Sequence, residues 1–384
     1  MKEMLYLQSL LLRNFRNYQE EALDFHPRLN IIIGDNAQGK TNLLEAIAYL
    51  SLASSFREQN EEKMKLRDAE FFFLQAVLHK QNAAHTLSAG YQRRQKFWKK
   101  DGQPCKKISE IAGLLHTVVF TPDDLELVKK SPDIRRLFLD REMIQLFRGY
   151  HVYLNSYKKA LLQRNNLLKA IDYIPAGQAE AQLEVWEQQL ADNGAVIMLR
   201  RCEMISRLNI ISSRIHSELT DGTEKLRLQY LSSFGDAAAE MAGQKAEPQQ
   251  LAELMLAAYC QSRAEDKKRR LTLLGPHRDD FGIFINDTEA RYFGSQGQQR
   301  TAALSLKLSE IELAKEIGGY YPLLLLDDVF SELDSRRRRA LLGLMLDKAQ
   351  VFITSTEVSD DLSFLQPGSY RLYEVSAGQV TRRK

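Results

Sequence analysis

Two short strings, far apart in the chain, carry the residue types that phosphate chemistry needs. Gly34-Asp35-Asn36-Ala37-Gln38-Gly39-Lys40-Thr41 fits the pattern G-x-x-x-x-G-K-[ST]. In such a loop backbone N–H groups cradle phosphate oxygens, and the helix that follows adds its partial positive charge. Lys40 is placed to reach the β- and γ-phosphates of a nucleoside triphosphate such as ATP, and the Thr41 hydroxyl suits Mg²⁺. The second string, Leu323-Leu324-Leu325-Leu326-Asp327-Asp328, is an apolar run that ends in two acids. A central parallel strand is buried on both faces and reads as such a run. Its C-terminal edge is where ligands sit in open α/β sheets. Asp327 there can hold Mg²⁺, and Asp328, one step on, can polarise an attacking water.

A third string precedes a helix-like stretch, Thr301 to Ile317. It reads Gly294-Ser295-Gln296-Gly297-Gln298-Gln299. Ser and Gly at a helix start make a further anion site by the same dipole argument. One γ-phosphate does not need two such sites in one chain. In a two-fold dimer, this string of one subunit completes the phosphate loop of the other; the plainer alternative is an N-capped surface helix.

The elements that must position these residues follow from periodicity. Leu5 to Leu12 reads as a strand, and Arg28 to Ile33 as a buried strand running into the glycine loop. Thr41 to Leu50 has helical spacing, so the loop has the strand–loop–helix context its chemistry requires. Phe71 to Tyr91 carries short β-like runs, Asp101-Gly102 predicts a hairpin turn, and Leu114 to Phe120 predicts another strand. After Phe120 the period changes. Ser131-Pro132-Asp133 is a helix start, with Ser as cap and Pro at the first position. Apolar residues at alternating four and three then run from Met143 to Ile171, broken only at Arg164. As one helix this stripe would be about 43 Å long. Ile174-Pro175-Ala176-Gly177 closes it, and a second stripe runs from Leu183 to Ile215, so the pair predicts an antiparallel helical hairpin. Leu226 to Leu231 reads as a strand, Gly235 to Pro248 as a mobile loop and Gln249 to Asp266 as a third helix. Strand patterns return at Phe281–Ile285 and Val351–Ile353. The expected fold is α/β: a discontinuous head from residues 1–125 and 271–384, with mixed sheet and helices, and an inserted helical, coiled-coil-like arm over 126–270.

Composition narrows the partners. Apolar content of 44% supports a real core, and a net charge of only +3 means that any nucleic-acid contact depends on local basic patches. The patches are Arg93-Arg94, Lys99-Lys100, Lys158-Lys159, Arg200-Arg201 and Lys267-Lys268-Arg269-Arg270. For any single pair, a solvated helix or hairpin face is the plainer reading. The surface near Arg93, Arg94, Lys99 and Lys100 and the arm base are the candidates retained. No base-reading motif stands out, so recognition is expected through backbone and shape. No apolar run is long enough for a membrane span. Three scattered cysteines, Cys105, Cys202 and Cys260, suit a reducing cytoplasm and offer no metal-ligand spacing.

Taken together, these strings resemble ABC-type ATPases of the SMC kind, and most closely the RecF family. Those carrying the likeness are Asn14-Phe15-Arg16-Asn17-Tyr18, the phosphate loop with Asn42-Leu43-Leu44-Glu45-Ala46, Ser55-Phe56-Arg57 and Phe120-Thr121-Pro122-Asp123-Asp124-Leu125. Further along come Ser131-Pro132 with Arg135-Arg136 and Phe138-Leu139-Asp140, Gly275-Pro276-His277-Arg278-Asp279-Asp280, Ser295 to Gln299, and Leu326 to Asp334. The resemblance spans nearly the whole chain. It implies an ABC-type ATPase head with an arm, ATP and Mg²⁺ as ligands, and an ATP-dependent homodimer. It also implies DNA binding at single-strand/duplex gaps, and work with RecO and RecR to load RecA in repair, replication and the SOS response, in a cytoplasmic, nucleoid-associated setting. By motif match, Lys40 and Thr41 are Walker A residues, Asp327 the magnesium residue, and Asp328 stands where most such proteins carry the catalytic Glu. Ser295, Gly297 and Gln298 match the signature that meets the partner's ATP, Asp334 matches the D-loop, and Arg57 resembles the arginine that approaches the phosphates.

The chain departs from the family pattern at three places. Ala37 replaces a glycine often seen in such loops, the signature reads Ser-Gln-Gly-Gln-Gln, and Thr354 or Thr356 stands where many relatives carry a switch histidine. A shorter acid and no histidine suit slow hydrolysis, a switch rather than a motor. The competing readings are another SMC-like ATPase acting as a DNA-structural clamp, a transporter subunit, an ATPase-coupled nuclease, and an architectural binder that never hydrolyses ATP.

Overall fold

The computed structural model describes residues 5–58, 60–80, 83–107, 110–111, 113–147, 149–244, 246–332, 338, 341–343, 345–346, 348–357 and 368–383. In chain order the first elements are β1 (Tyr6–Phe15), β2 (Tyr18–Asp24), β3 (Leu29–Ile33) and α1 (Lys40–Leu52). There follow β4 (Phe71–Lys80), β5 (Ala83–Gln92), β6 (Gln95–Lys100), β7 (Gln103–Pro104) and β8 (Thr117–Phe120). Then come α2 (Pro132–Leu146), α3 (Tyr150–Lys169), α4 (Ala176–Leu219), β9 (Leu226–Leu231), α5 (Asp236–Gly243) and α6 (Pro248–Arg269). The last are β10 (Asp280–Ile285), β11 (Thr288–Glu289), α7 (Ala290–Phe293), α8 (Gln296–Gly318), β12 (Leu323–Asp327), β13 (Val351–Ser355), β14 (Arg371–Ser376) and β15 (Gln379–Arg382). They fall into two compact units, Met1–Glu126 with Leu306–Lys384, and Leu127–Ser305.

The first unit holds two six-stranded sheets. One is antiparallel, in the order β2-β1-β4-β5-β6-β7; the other runs β15-β14-β3-β13-β12-β8 and is parallel except for the β14–β15 hairpin. α1 contacts strands of both sheets, which explains its composition. Leu43, Leu44, Glu45, Ala46, Ile47, Ala48, Tyr49 and Leu50 are all buried, so this stretch of the helix has no solvent face. Phe72, Leu74, Ala76 and Leu78 alternate from β4 into the same core, and Tyr49 stacks on Trp98 with ring centroids 5.5 Å apart. β12 is buried at every position between β13 and β8, as its unbroken apolar run requires. The Asp101-Gly102 turn has φ 49° and 80°, as a tight hairpin demands.

The second unit packs helices with a three-stranded sheet, β11-β10-β9. α3 and α4 form the antiparallel hairpin, with Tyr150 opposite Arg201 and Arg164 opposite Glu187. Several expectations change here. The Met143–Ile171 stripe falls in two helices, because Phe147 caps the end of α2 and Gly149, at φ 90°, caps the start of α3. Arg164 does not interrupt the packing. It is wholly buried and donates to Glu187 at 2.9 Å and to Asp266 and Thr272 at 2.8 Å. Ser131 holds the cap position of α2, but its side chain makes no capping bond. The segment 235–248, read as a loop, contains α5, which buries Ala238 and Ala242. The second unit also runs on to Ser305, beyond the 126–270 arm. β10 pairs with β9 in register Asp280–Leu231 to Ile285–Leu226, which ties residues past 270 into it.

Candidate functional site: a phosphate loop and its acidic strand

Lys40 opens α1, and Gly34 to Gly39 form the turn that delivers it from β3. Gly34 has φ 148°, and a Cβ there would come within 2.3 Å of the Val375 carbonyl oxygen on β14. Gly39 has φ 121°, and its Cβ would meet the Asn17 side chain at 2.7 Å. Both positions therefore require glycine. Ala37 adopts φ 65°, so alanine here carries a conformation that glycine takes freely.

Neighbouring turns hold the loop. Tyr18 donates from its hydroxyl to the Gly39 carbonyl at 2.8 Å, and Asn17 Nδ2 donates to the Gln38 carbonyl at 2.8 Å. The β14–β15 turn adds two bonds: Ala377 N–H to Gln38 Oε1 at 2.6 Å and Gly378 N–H to the Gln38 carbonyl at 3.2 Å. Lys40 Nζ, almost wholly buried, folds back over the loop and donates to the Gly34 and Asp35 carbonyls at 2.5 and 2.9 Å. Asp35, Asn36 and Ala37 are exposed at the loop's crest.

β12 brings its terminal acid to this loop. Thr41 Oγ1 donates to Asp327 Oδ1 at 2.9 Å, joining residues written at opposite ends of the chain. Thr354 Oγ1, on adjacent β13, donates to the same oxygen at 2.9 Å and accepts from the Asp328 N–H at 2.9 Å. Of the two threonines considered for the switch position, Thr354 is the one brought to the acids; Thr356 is exposed. Burial raises the Asp327 carboxyl above its ordinary range, while the bonds from Thr354 and Thr41 and the charge of Arg57 pull it down. Asp328, just past the end of β12, sits in the left-handed region at φ 53°. The oxygen set of Thr41 and Asp327 fits Mg²⁺, a hard cation that prefers hydroxyl and carboxylate donors.

A cleft of about 520 Å³ lies in the same unit, lined among others by Arg16, Asn17, Asn42, Arg57, Lys63 and Lys65. Arg57 donates to Asn42 Oδ1 at 3.1 Å, and Asn42 Nδ2 donates to Asn17 Oδ1 at 2.9 Å, so a polar chain runs from the arginine to the loop backbone at Gln38. The contribution of Asn17, Asn42 and the Ala377–Gly378 turn was not read from the sequence. The only signal was that two of the resemblance strings contained asparagines without a role.

The remaining predicted residues lie elsewhere. Ser295, Gly297 and Gln298 belong to the second unit, at the start of α8. Ser295 and Gln298 form a reciprocal cap: Ser295 N–H to Gln298 Oε1 at 2.9 Å, and Gln298 N–H to Ser295 Oγ at 3.2 Å. Ser295 and Gly297 are exposed, and Gln299 is buried, donating to the Ala290 carbonyl at 2.8 Å. Asp334 lies outside the described residues. Arg93 and Arg94 form the exposed β5–β6 turn at φ 50° and 62°; Lys99 is exposed and Lys100 half-buried on β6. The basic groups of the second unit are largely committed. Arg201 is buried against Asp140 and the Pro276 carbonyl, and Lys267, Arg269 and Arg270 pair with Glu180, Glu265 and Asp172.

A glycine loop between a sheet strand and a largely buried helix, with a parallel strand of the same sheet ending in acids, defines a P-loop ATPase head of the ABC type. The family model described as the RecF/RecN/SMC N-terminal domain matches residues 6–361. The DNA replication and repair protein RecF of Halothermothrix orenii is 39% identical over 381 residues, covering 99% of this chain and all of the relative. RecF of Halalkalibacterium halodurans is 40% identical over 380 residues, with 99% and 100% covered. Among solved structures, the recombination mediator protein RecF-ATPrS of the RecFOR pathway superposes with a TM-score of 0.90 at 36% identity, over 100% of this chain and 99% of the other. An Smc head domain from Pyrococcus furiosus, at 15% identity and a TM-score of 0.54, shares the fold. The chain belongs to the RecF family of SMC-type ATPases.

Proposed function

We propose that this chain is an ATP-dependent DNA-binding protein of recombinational repair and replication. It would bind ATP in the Gly34–Thr41 loop and dimerise on it. It would act at single-strand/duplex gaps with RecO and RecR so that RecA is loaded, and support the SOS response in the cytoplasm at the nucleoid. The observation that carries the reading is the convergence of Thr41 and Thr354 on the Asp327 carboxylate, beside a loop closed by Lys40. The RecF relatives and the ATP-bound RecF structures support it.

Each group has a role in this reading. Backbone N–H groups of residues 34–41 bind the phosphates, and Lys40 exchanges its two carbonyl partners for β/γ-phosphate oxygens. Thr41 and Asp327 hold Mg²⁺, which supplies charge neutralisation at the phosphates. Asp328 orients water for attack, with its backbone fixed by Thr354. Arg57 approaches the phosphates from the cleft. Ser295, Gly297, Gln298 and Asp334 face the ATP of a second copy. A short acid at 328, and threonine where a histidine would relay a proton, make hydrolysis slow; DNA stimulates this weak activity, so it times release rather than driving movement. Exposed Arg93, Arg94 and Lys99, with Lys100 beside them, contribute phosphate contacts to DNA.

Analytical ultracentrifugation with and without ATP, Mg²⁺ and gapped DNA tests this. The wild type is expected to be monomeric alone and dimeric with ATP. Ser295→Arg is expected to bind ATP normally yet stay monomeric. A Ser295→Arg chain that still dimerises with ATP removes the signature assignment, and a wild type indifferent to ATP removes the whole reading.

A further inference from the structure

Three strings flank or follow the phosphate loop without forming it, and their side chains meet at one buried carboxylate. Glu45, on the second turn of α1, is wholly buried. It accepts two bonds from Arg16 of the β1–β2 turn, Nε at 2.8 Å and Nη2 at 2.5 Å, and a third from the Ser55 hydroxyl. Ser55 Oγ in turn accepts from the backbone N–H groups of Arg57 at 2.9 Å and Glu58 at 3.0 Å. The turn that carries Arg57 is therefore wound around a hydroxyl whose own proton is committed to Glu45. At the other end of that turn the Arg57 guanidinium donates to Asn42 at 3.1 Å, one helical turn before Glu45.

The chemistry at position 45 is demanding. Three donors converge on one group, and only an acceptor-only side chain satisfies them all. Glutamine would turn an NH₂ toward a donor. An arginine–carboxylate pair taken out of water adds little net stability compared with an apolar replacement. Its fork geometry instead fixes direction. Here the direction fixed is that of two turns that line the basic cleft, each anchored to the helix whose first residue is Lys40.

We propose that Glu45 is a positioning residue for nucleotide turnover: through Ser55 and the 55–58 turn it holds Arg57 at the cleft beside the phosphate loop. The proposal rests on the reading of that loop as an ATP site. The full-length chain is compared as wild type, Glu45→Gln, Arg57→Ala and the double variant. The readouts are affinity for a fluorescent ATP analogue with Mg²⁺, kcat and KM for ATP, and melting temperature. Glu45→Gln is expected to lower kcat roughly tenfold, with analogue affinity within about twofold of wild type, and to have no further effect in the Arg57→Ala background. The same fold-loss of kcat in both backgrounds overturns the proposal, as does a normal kcat in Arg57→Ala. If Glu45→Gln does not fold, Ser55→Ala breaks the same relay without stranding a buried charge and must show the same non-additivity with Arg57→Ala. Failure of the wild type to bind the analogue would instead remove the ATP reading itself, and is seen before any variant is compared.

Discussion

Each unit pairs an arginine with a fully buried carboxylate, and the two clusters serve different ends. In the first unit Arg16 and Glu45 lie under a cleft beside the phosphate loop. Arg16 keeps 17% of its side chain exposed, and its partners lead outward through Ser55 to Arg57. In the second unit Arg164, Glu187 and Asp266 are sealed among α3, α4 and α6 at 0% exposure. Arg263 closes the outer side of Glu187. The first cluster leads to a guanidinium that lines the cleft beside the phosphate loop; the second leads to Thr272 and, through Arg263, to the surface carboxylates Glu180 and Glu184. A buried ion pair is therefore no sign of a site until its hydrogen bonds are followed to something a ligand can reach.

The contrast is sharpest where it can be broken. Arg164→Ala leaves Glu187 and Asp266 facing each other without their shared cation. It is expected to destabilise the chain by about 4 kcal/mol in urea unfolding, and to leave nucleotide affinity unchanged below the transition. A large loss of affinity in a folded Arg164→Ala chain would erase the distinction. Lys40→Ala should do the reverse: roughly a hundredfold weaker binding of a fluorescent ATP analogue, with a nearly unchanged unfolding curve.

A pH effect should belong to the second unit. Burial pushes the His277 imidazole down to about 4, where it meets the Tyr157 hydroxyl at 2.7 Å. The unfolded chain therefore takes that proton first as pH falls from 6.5, and the neutral-form stability drains away down to about 4. Asp279 and Asp327, raised by burial, run the other way, gaining stability as pH falls through their folded values. His277→Asn isolates the imidazole: the wild-type advantage over it should shrink by about 2 kcal/mol between pH 7 and 4.5. A constant difference across that range would show that His277 titrates normally. The smallest effect lies in the loop. Ala37→Gly relieves a left-handed alanine and should stabilise by about 0.5 kcal/mol in thermal unfolding, since glycine's extra entropy in the unfolded chain offsets part of the gain.

Much of the site was legible in the residues because its chemistry is local. A glycine loop between strand and helix, and an apolar run ending in acids, each carry their own geometry. The structure brings the Gly34–Thr41 loop and Asp327 together through the Thr41–Asp327 hydrogen bond. Thr354 needed the parallel register that sets it beside Asp327, which the spacing could not distinguish from Thr356. The break at Gly149 was hidden because the apolar rhythm continues across it, and α5 was hidden because eight residues bounded by Gly235 and Gly243 read as a loop despite their helix-favouring alanines.

By itself, then, the order of residues determined the phosphate loop, its acidic counterpart, the family and the presence of long paired helices. Those depend on short-range periodicity and on residue types with one dominant use. Tertiary structure alone decided that Thr41 and Thr354 share one carboxylate oxygen, that Glu45 gathers Arg16 and Ser55, and that Arg164 is core rather than surface. Burial and hydrogen-bond partnership are properties of what surrounds a side chain, and those surroundings come from segments tens to hundreds of residues away.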